Sequence, residues 1–486
     1  MSISAAYEDH DAVGLAALVA KGETTPAELL DEAVKRAEAL NPTLNCITLP
    51  QLETARRLIA EGLLEGPLKG VPFILKDLGV DAVDFPSNSG SKAVAGRKAP
   101  HDSTFYARLA AAGLVTFARA PSPEFGVGPA TEAAVYGGPT RNPWNIDHTP
   151  GGSSGGSAAS VASGIVPAAH ASDGAGSIRI PASSSGLYGL KPSRSLMPTG
   201  PFGGEGWGGL ATNGFLSRSV RDTAVLLDAT AGTDLGAPHA SPVPSMSFVK
   251  ALETRPKGLK IGYLTTSLTG APLHPDCVAA VDDAAKLLES LGHKVEEAPL
   301  PKADTDGVIR AVALLMACDN AQKFRQIAEA QGIAPEDLDL EPIAKGALKV
   351  ADTVDGGAAI AGIDAVHRYG RDLALWMQPY DAMLTATLAE PPAKVGRFAH
   401  THGDFMRYRF DPKEGVYAYS PFTASFNASG QPAASLPLFW NEAGLPIGVH
   451  LAMQFGQDAE LVALSAQIEE ARPWFAKRPP ITAATV

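Results

Sequence analysis

The sequence predicts an α/β protein, a β-sheet covered by helices on both faces, and three observations carry that prediction. Short apolar runs of strand length alternate with segments of helical period. A β-α-β unit is legible late in the chain. Of the 486 residues, 45% are hydrophobic and 19% charged, enough for a large core, and the 49 glycines and 39 prolines sit mainly between the periodic segments.

Thr25-Pro26-Ala27-Glu28 is a capping-box pattern with Pro at the first helical position, and Leu30, Val34 and Ala37 continue the helical period until Asn41-Pro42 ends it. Val71 to Leu75 is a short apolar run after Gly70 and reads as a buried strand delivering Lys76 at its end. Residues 101–113 read as a helix and 114–119 as the next strand. The small residues after Gly151 lead to a strand-like VPAAHAS segment. Residues 231–258, rich in Pro, Gly and Ser, look like a linker between subdomains. Beyond it, LKIGYL, a helix over 275–291 and HKVEEA form the β-α-β unit. A helical stretch over 311–331, the strand GLPIGVHLAM and an amphipathic helix over 458–471 complete the chain. No internal repeat is visible.

The net charge is −12, which argues against a nucleic-acid surface, since that would need basic clusters. Three cysteines, Cys46, Cys277 and Cys318, show neither a disulfide framework nor a zinc spacing, so no metal is implied. The N-terminal segment is acidic and lacks a basic stretch followed by an apolar run. No apolar span of about 18 residues occurs, so the expectation is a cytoplasmic protein with no membrane contact.

The chemistry concentrates in Gly151 to Ala182, where Ser153 and Ser177 occupy two separate Gly-rich turns. A serine hydroxyl needs a base within hydrogen-bond reach. None of the eleven histidines falls in a motif. A lysine serves if burial keeps it neutral, and Lys76 follows a buried-strand run. The competing reading of Lys76 is a satisfied ion at a strand end. Ser177 follows Asp173-Gly174-Ala175-Gly176, small residues that let backbone N–H groups converge as an oxyanion nest, unless the segment is a plain turn. Gly151-Gly152-Ser153-Ser154-Gly155 formally matches the GxSxG elbow, but a loop-like segment precedes it where a strand is required. No Gly-Lys-Ser/Thr closes a P-loop. Ser247-Phe248-Val249-Lys250 is a chance SxxK match.

GGSSGGSAAS and SDGAGSIRIPAS, preceded by GVPFILKDL, resemble the signature of the amidase signature family. LYGLKPSRS, FLSRSVRDTA and FNASGQPAASLPLFWNEAGLPIGVHL look like further family elements, so the resemblance covers most of the chain. It implies a single domain over 1–486 on one large mixed β-sheet. Its parts are an N-terminal helical part (1–65), a core (66–230), the linker-like stretch (231–258) and a C-terminal α/β part (259–486) that completes the sheet. It also implies a Ser–cis-Ser–Lys triad: Ser177 as nucleophile, Ser153 as a bridging serine on a cis peptide bond and Lys76 as base. The backbone N–H groups of Gly174, Ala175, Gly176 and Ser177 would hold the oxyanion. No cofactor is implied. Ala175 departs from the Gly-Gly pair usual in the family; its Cβ narrows the loop without removing an N–H.

PSPEFGVG (121–128) resembles the family loop beside the active site, making Glu124, Phe125 and Gly126 candidate substrate contacts. The other reading has Phe125 in the core and Glu124 as a structural hydrogen-bond partner. Cys318 and the C-terminal pattern are similar to the aminohexanoate cyclic-dimer hydrolases, the nylon-oligomer branch, where a cysteine near this position faces the substrate. The bland reading is a buried helix cysteine. The GGEGWGG run (203–209) reads as a mobile cover over the site or as a plain surface loop. The expected ligand is a small-molecule amide or carbamate, with anilides in reach; a homodimer is possible. Two rivals are the A subunit of a tRNA-dependent amidotransferase, which would need partner subunits, and a Gly-rich phosphate-binding transferase.

Overall fold

The computed structural model describes residues 2–483. A capping box opens the first long helix as predicted: Thr25 Oγ1 accepts from Glu28 N–H while the Glu28 carboxylate accepts from Thr25 N–H. That helix, Pro26–Leu44, does not end at Pro42. Asn41 Oδ1 accepts from Cys46 and Ile47 N–H, so the outgoing chain is tied back onto the last turn and Pro42 is carried within it.

Ten strands follow: β1 Pro72–Lys76, β2 Val115–Ala120, β3 Ala168–Asp173, β4 Tyr188–Lys191, β5 Thr212–Ser217, β6 Lys260–Tyr263, β7 Lys294–Glu297, β8 Ala382–Ala386, β9 Ala433–Trp440 and β10 Pro446–Ala452. The β1 and β2 strands form a parallel pair, and the other eight form one sheet in the order β3-β5-β4-β9-β10-β8-β6-β7. The sheet is mixed. Strands β7, β6 and β8 run parallel, as the β-α-β reading requires, and every other pairing is antiparallel.

Helices cover both faces, which two consecutive residues of β4 demonstrate. A Cβ built on Gly189 would lie 2.7 Å from the Ala182 side chain, in the helix Arg179–Ser185. Tyr188, pointing the opposite way by strand geometry, donates its hydroxyl to Ser465 in the helix Asp458–Ala471. The linker-like stretch is partly ordered, because Ser247 Oγ accepts from Lys250 N–H and caps the short helix Phe248–Ala251. The SxxK match is therefore a helix cap. No helix among the described residues is long and apolar enough to cross a membrane.

What matters for the site is the meeting of the two sheets. The free edge of β3 packs beside β1. The helix Gly155–Ala162 lies against β1, β2 and β3, and brings the GGSSGG turn to the end of β1.

Candidate active site

Lys76 is the last residue of β1, fully buried, with Nζ 2.7 Å from Ser153 Oγ. The Gly152–Ser153 peptide is cis. Nζ also lies 2.9 Å from Ser172 Oγ and 3.4 Å from Ser172 O, on the β3 edge. Burial pulls the Lys76 pKa from 10.5 down to about 7, against the opposing charge of Asp173. A neutral amine has two N–H groups and one lone pair, so the oxygens around Nζ leave room for a hydroxyl proton to point at the nitrogen.

Two neighbours steady this arrangement. Ser154 Oγ accepts from Ser172 N–H and donates to Ser172 O, both at 3.3 Å, so the serine turn is stitched to the edge of β3. Lys76 N–H donates to His170 Nδ1 at 3.2 Å. Burial drives the His170 pKa down to about 3, so the ring is neutral and its Nε2–H faces Asn213 Oδ1. Neither Ser172 nor His170 stood out in the sequence. The signal was there: both belong to VPAAHAS, two residues apart, hence on one side of a strand.

Ser177 lies between β3 and the helix Arg179–Ser185, 8% exposed, and its hydroxyl makes no hydrogen bond to the described residues. The loop leading to it is folded around Asp173. One carboxylate oxygen accepts from Gly176 N–H (2.7 Å), the other from Ile178 N–H (3.1 Å), and Arg179 donates to both. Asn427 donates to the same carboxylate at 2.9 Å. Burial opposes ionisation of Asp173, but Arg179, Lys191 and the Asn427 hydrogen bond together outweigh it and hold the carboxyl well below the usual range.

This corrects one expectation. The N–H of Gly176 is spent on Asp173, so of the four N–H groups expected to hold an oxyanion this one is not free. Gly176 is needed for its backbone: its φ is +130°, and a Cβ there would lie 2.4 Å from Thr423 Oγ1, which donates to Ala175 O. At Gly174 a Cβ would meet the Trp207 ring at 2.5 Å. Trp207 of the GGEGWGG run therefore packs directly on this loop, and Ala175 is the position where a methyl group fits.

The 121–128 loop is divided in its roles. Glu124 is fully buried, with its carboxylate accepting from Ser91 Oγ–H at 2.6 Å and Glu341 N–H at 2.8 Å. Burial pushes its pKa up to about 8. Both oxygens are taken by protein groups, so Glu124 is a structural partner and the expected substrate contact is withdrawn. Phe125 is 7% exposed and packs edge-on against Phe324, at 4.9 Å between ring centroids. Gly126 does border the site: a Cβ there would lie 3.5 Å from Ser153 Oγ. Cys318 is half-buried on the helix Thr305–Gln331, which also carries Phe324; burial raises its thiol pKa. Among the described residues no group of three or more His, Cys, Asp or Glu is placed to hold a metal ion.

Comparison with known proteins gives the family. A family profile described as Amidase matches residues 28–462. The chain is 36% identical over 478 residues to the 6-aminohexanoate-cyclic-dimer hydrolase of Pseudomonas sp. (strain NK87), covering 96% of each protein. The solved structure of a 6-aminohexanoate cyclic dimer hydrolase complexed with substrate superposes with a TM-score of 0.91 at 34% identity, over 99% of this chain and 100% of that one. A bacterial aryl acylamidase of the amidase signature family superposes with a TM-score of 0.85 at 27% identity, over 97% and 99%. The chain belongs to the amidase signature family and is a hydrolase of amide bonds.

Proposed function

We propose that the protein hydrolyses C–N bonds of small linear or cyclic amides through an acyl-enzyme on Ser177, with Ser153 and Lys76 as a proton relay. The observation that carries this reading is the buried Lys76 amine, its pKa drawn down to about 7, at 2.7 Å from Ser153 Oγ. Neutral Nζ takes the Ser153 proton as Ser153 takes that of Ser177, whose oxygen bonds the amide carbon. The carbonyl oxygen becomes the oxyanion, facing the N–H groups of Gly174, Ala175 and Ser177. The proton returns through Ser153 to the nitrogen, the C–N bond breaks and the amine leaves. Water then gives a proton to the same relay and attacks the Ser177 ester, releasing the acid and restoring Ser177.

The likeness to the cyclic-dimer hydrolases and the aryl acylamidase points to a substrate panel: the 6-aminohexanoate cyclic dimer, a linear aliphatic amide, an anilide and a carbamate. Ser177→Ala is expected to lower turnover of whichever amide is cleaved by at least about 1,000-fold while the fold persists by circular dichroism. Turnover by that variant near the wild-type rate sinks the proposal.

A further inference from the structure

The loop whose Gly126 stands against Ser153 is gripped from outside by a histidine that the reaction above does not use. His400 Nε2 lies 2.7 Å from Val127 O, and Nδ1 lies 2.5 Å from Glu341 Oε2. Both ring nitrogens thus face protein oxygens, and Tyr408 Oη also lies 3.4 Å from Nε2. Glu341 extends the grip, since its carboxylate accepts from Ala134 N–H and its own N–H donates to the Glu124 carboxylate. The approach is close. A Cβ on Gly128 would lie 2.6 Å from Tyr408 Oη and 3.4 Å from His400 Nε2.

The gripped backbone is in an unfavourable conformation. Phe125, a non-glycine residue, has φ +47° and ψ +24°. Such residues persist only where the surroundings impose them.

We propose that His400 is a positioning residue for the reaction: its Nε2–H holds the Val127 carbonyl, and with it Gly126, against Ser153, while Glu341 orients the ring through Nδ1. The effect on turnover rests on the amidase reading; the grip itself does not.

Two substitutions separate the Nε2 side of the ring from the Nδ1 side. His400→Gln carries an amide N–H where Nε2 was and can keep the Val127 bond. His400→Asn carries its amide where Nδ1 was, facing Glu341, and cannot reach Val127. The expected result is that H400N lowers kcat/KM about 10- to 100-fold, mainly in kcat, while H400Q stays within about threefold of wild type. Hydrogen exchange of the peptide covering 121–130 should accelerate in H400N and not in H400Q. Equal behaviour of the two variants in both measurements, or the reverse order, overturns the proposal. If H400N does not fold, His400→Phe keeps the ring volume, removes both nitrogens and must show the same two losses. If the wild type cleaves no amide, the amidase reading fails, and the exchange comparison still decides whether His400 holds the loop.

Discussion

At the scale of single residues, the lowered pKa of Lys76 bears on stability and, through the proposed relay, on activity, and both are expected to rise with pH. The amine must be neutral to accept a proton, so kcat/KM is expected to fall as pH drops through about 7, seen as an acid limb in the pH–rate profile. A flat profile from pH 5 to 9 contradicts a lysine base. For stability, the folded state holds fewer protons than the unfolded state between pH 7 and 10.5, so Lys76 makes stability rise with pH across that window. Below pH 7 the cost of burying the ammonium is fully present. Lys76→Met is therefore expected to be inactive yet to melt above wild type at pH 6, with the gap closing towards pH 10. Melting curves of the two proteins at several pH values test this.

At the scale of elements, the loop between β3 and the helix Arg179–Ser185 is shaped by one buried ion pair, Asp173 with Arg179. Asp173→Asn leaves the Arg179 charge unpaired in the interior, and breaking such a pair costs about 3–5 kcal/mol. Chemical denaturation should show a loss of that order, with activity falling too because the amide can accept from only one of the Gly176 and Ile178 N–H groups that the carboxylate holds. A variant as stable as wild type contradicts this account. The same loop shows what a sequence reveals. Ser177, Ser153 and Lys76 were legible because local pattern marks them: Gly-rich turns for the serines, an apolar strand for the lysine. The partners that tune them were not, because Ser172, His170 and Asn427 act across long stretches of chain. The two readings of Glu124 stayed open for a related reason: its partners Ser91 and Glu341 are remote, so nothing local showed that both carboxylate oxygens were already taken. Gly176 offered an N–H on paper, but only the folded turn shows it consumed by Asp173.

At the scale of the whole molecule, alternating strand and helix patterns made the α/β class legible, but strand order follows from packing that no local pattern encodes. Strand β4 pairs with β9, so residues before and after the linker-like stretch build the same sheet. Side chains bind the two parts as well: Ser193 hydrogen-bonds Asp458, and Arg179 reaches Asn427 and His450. The linker-like stretch meanwhile exposes Leu235 (99%) and Val243 (89%), which makes it a natural site for protease attack. A single cut within 231–258 should therefore leave two fragments joined by the β4–β9 ladder and the buried contacts around it. They are expected to co-elute in gel filtration and to part only in denaturant. The nicked protein should keep its amidase activity, because Lys76, Ser153 and Ser177 all precede the cut while Thr423 and Asn427, which brace the nucleophile loop, stay docked from the other fragment. Fragments that separate under native conditions would show that the sheet does not unite the two parts. Loss of activity without separation would instead place a required residue within the cut stretch itself.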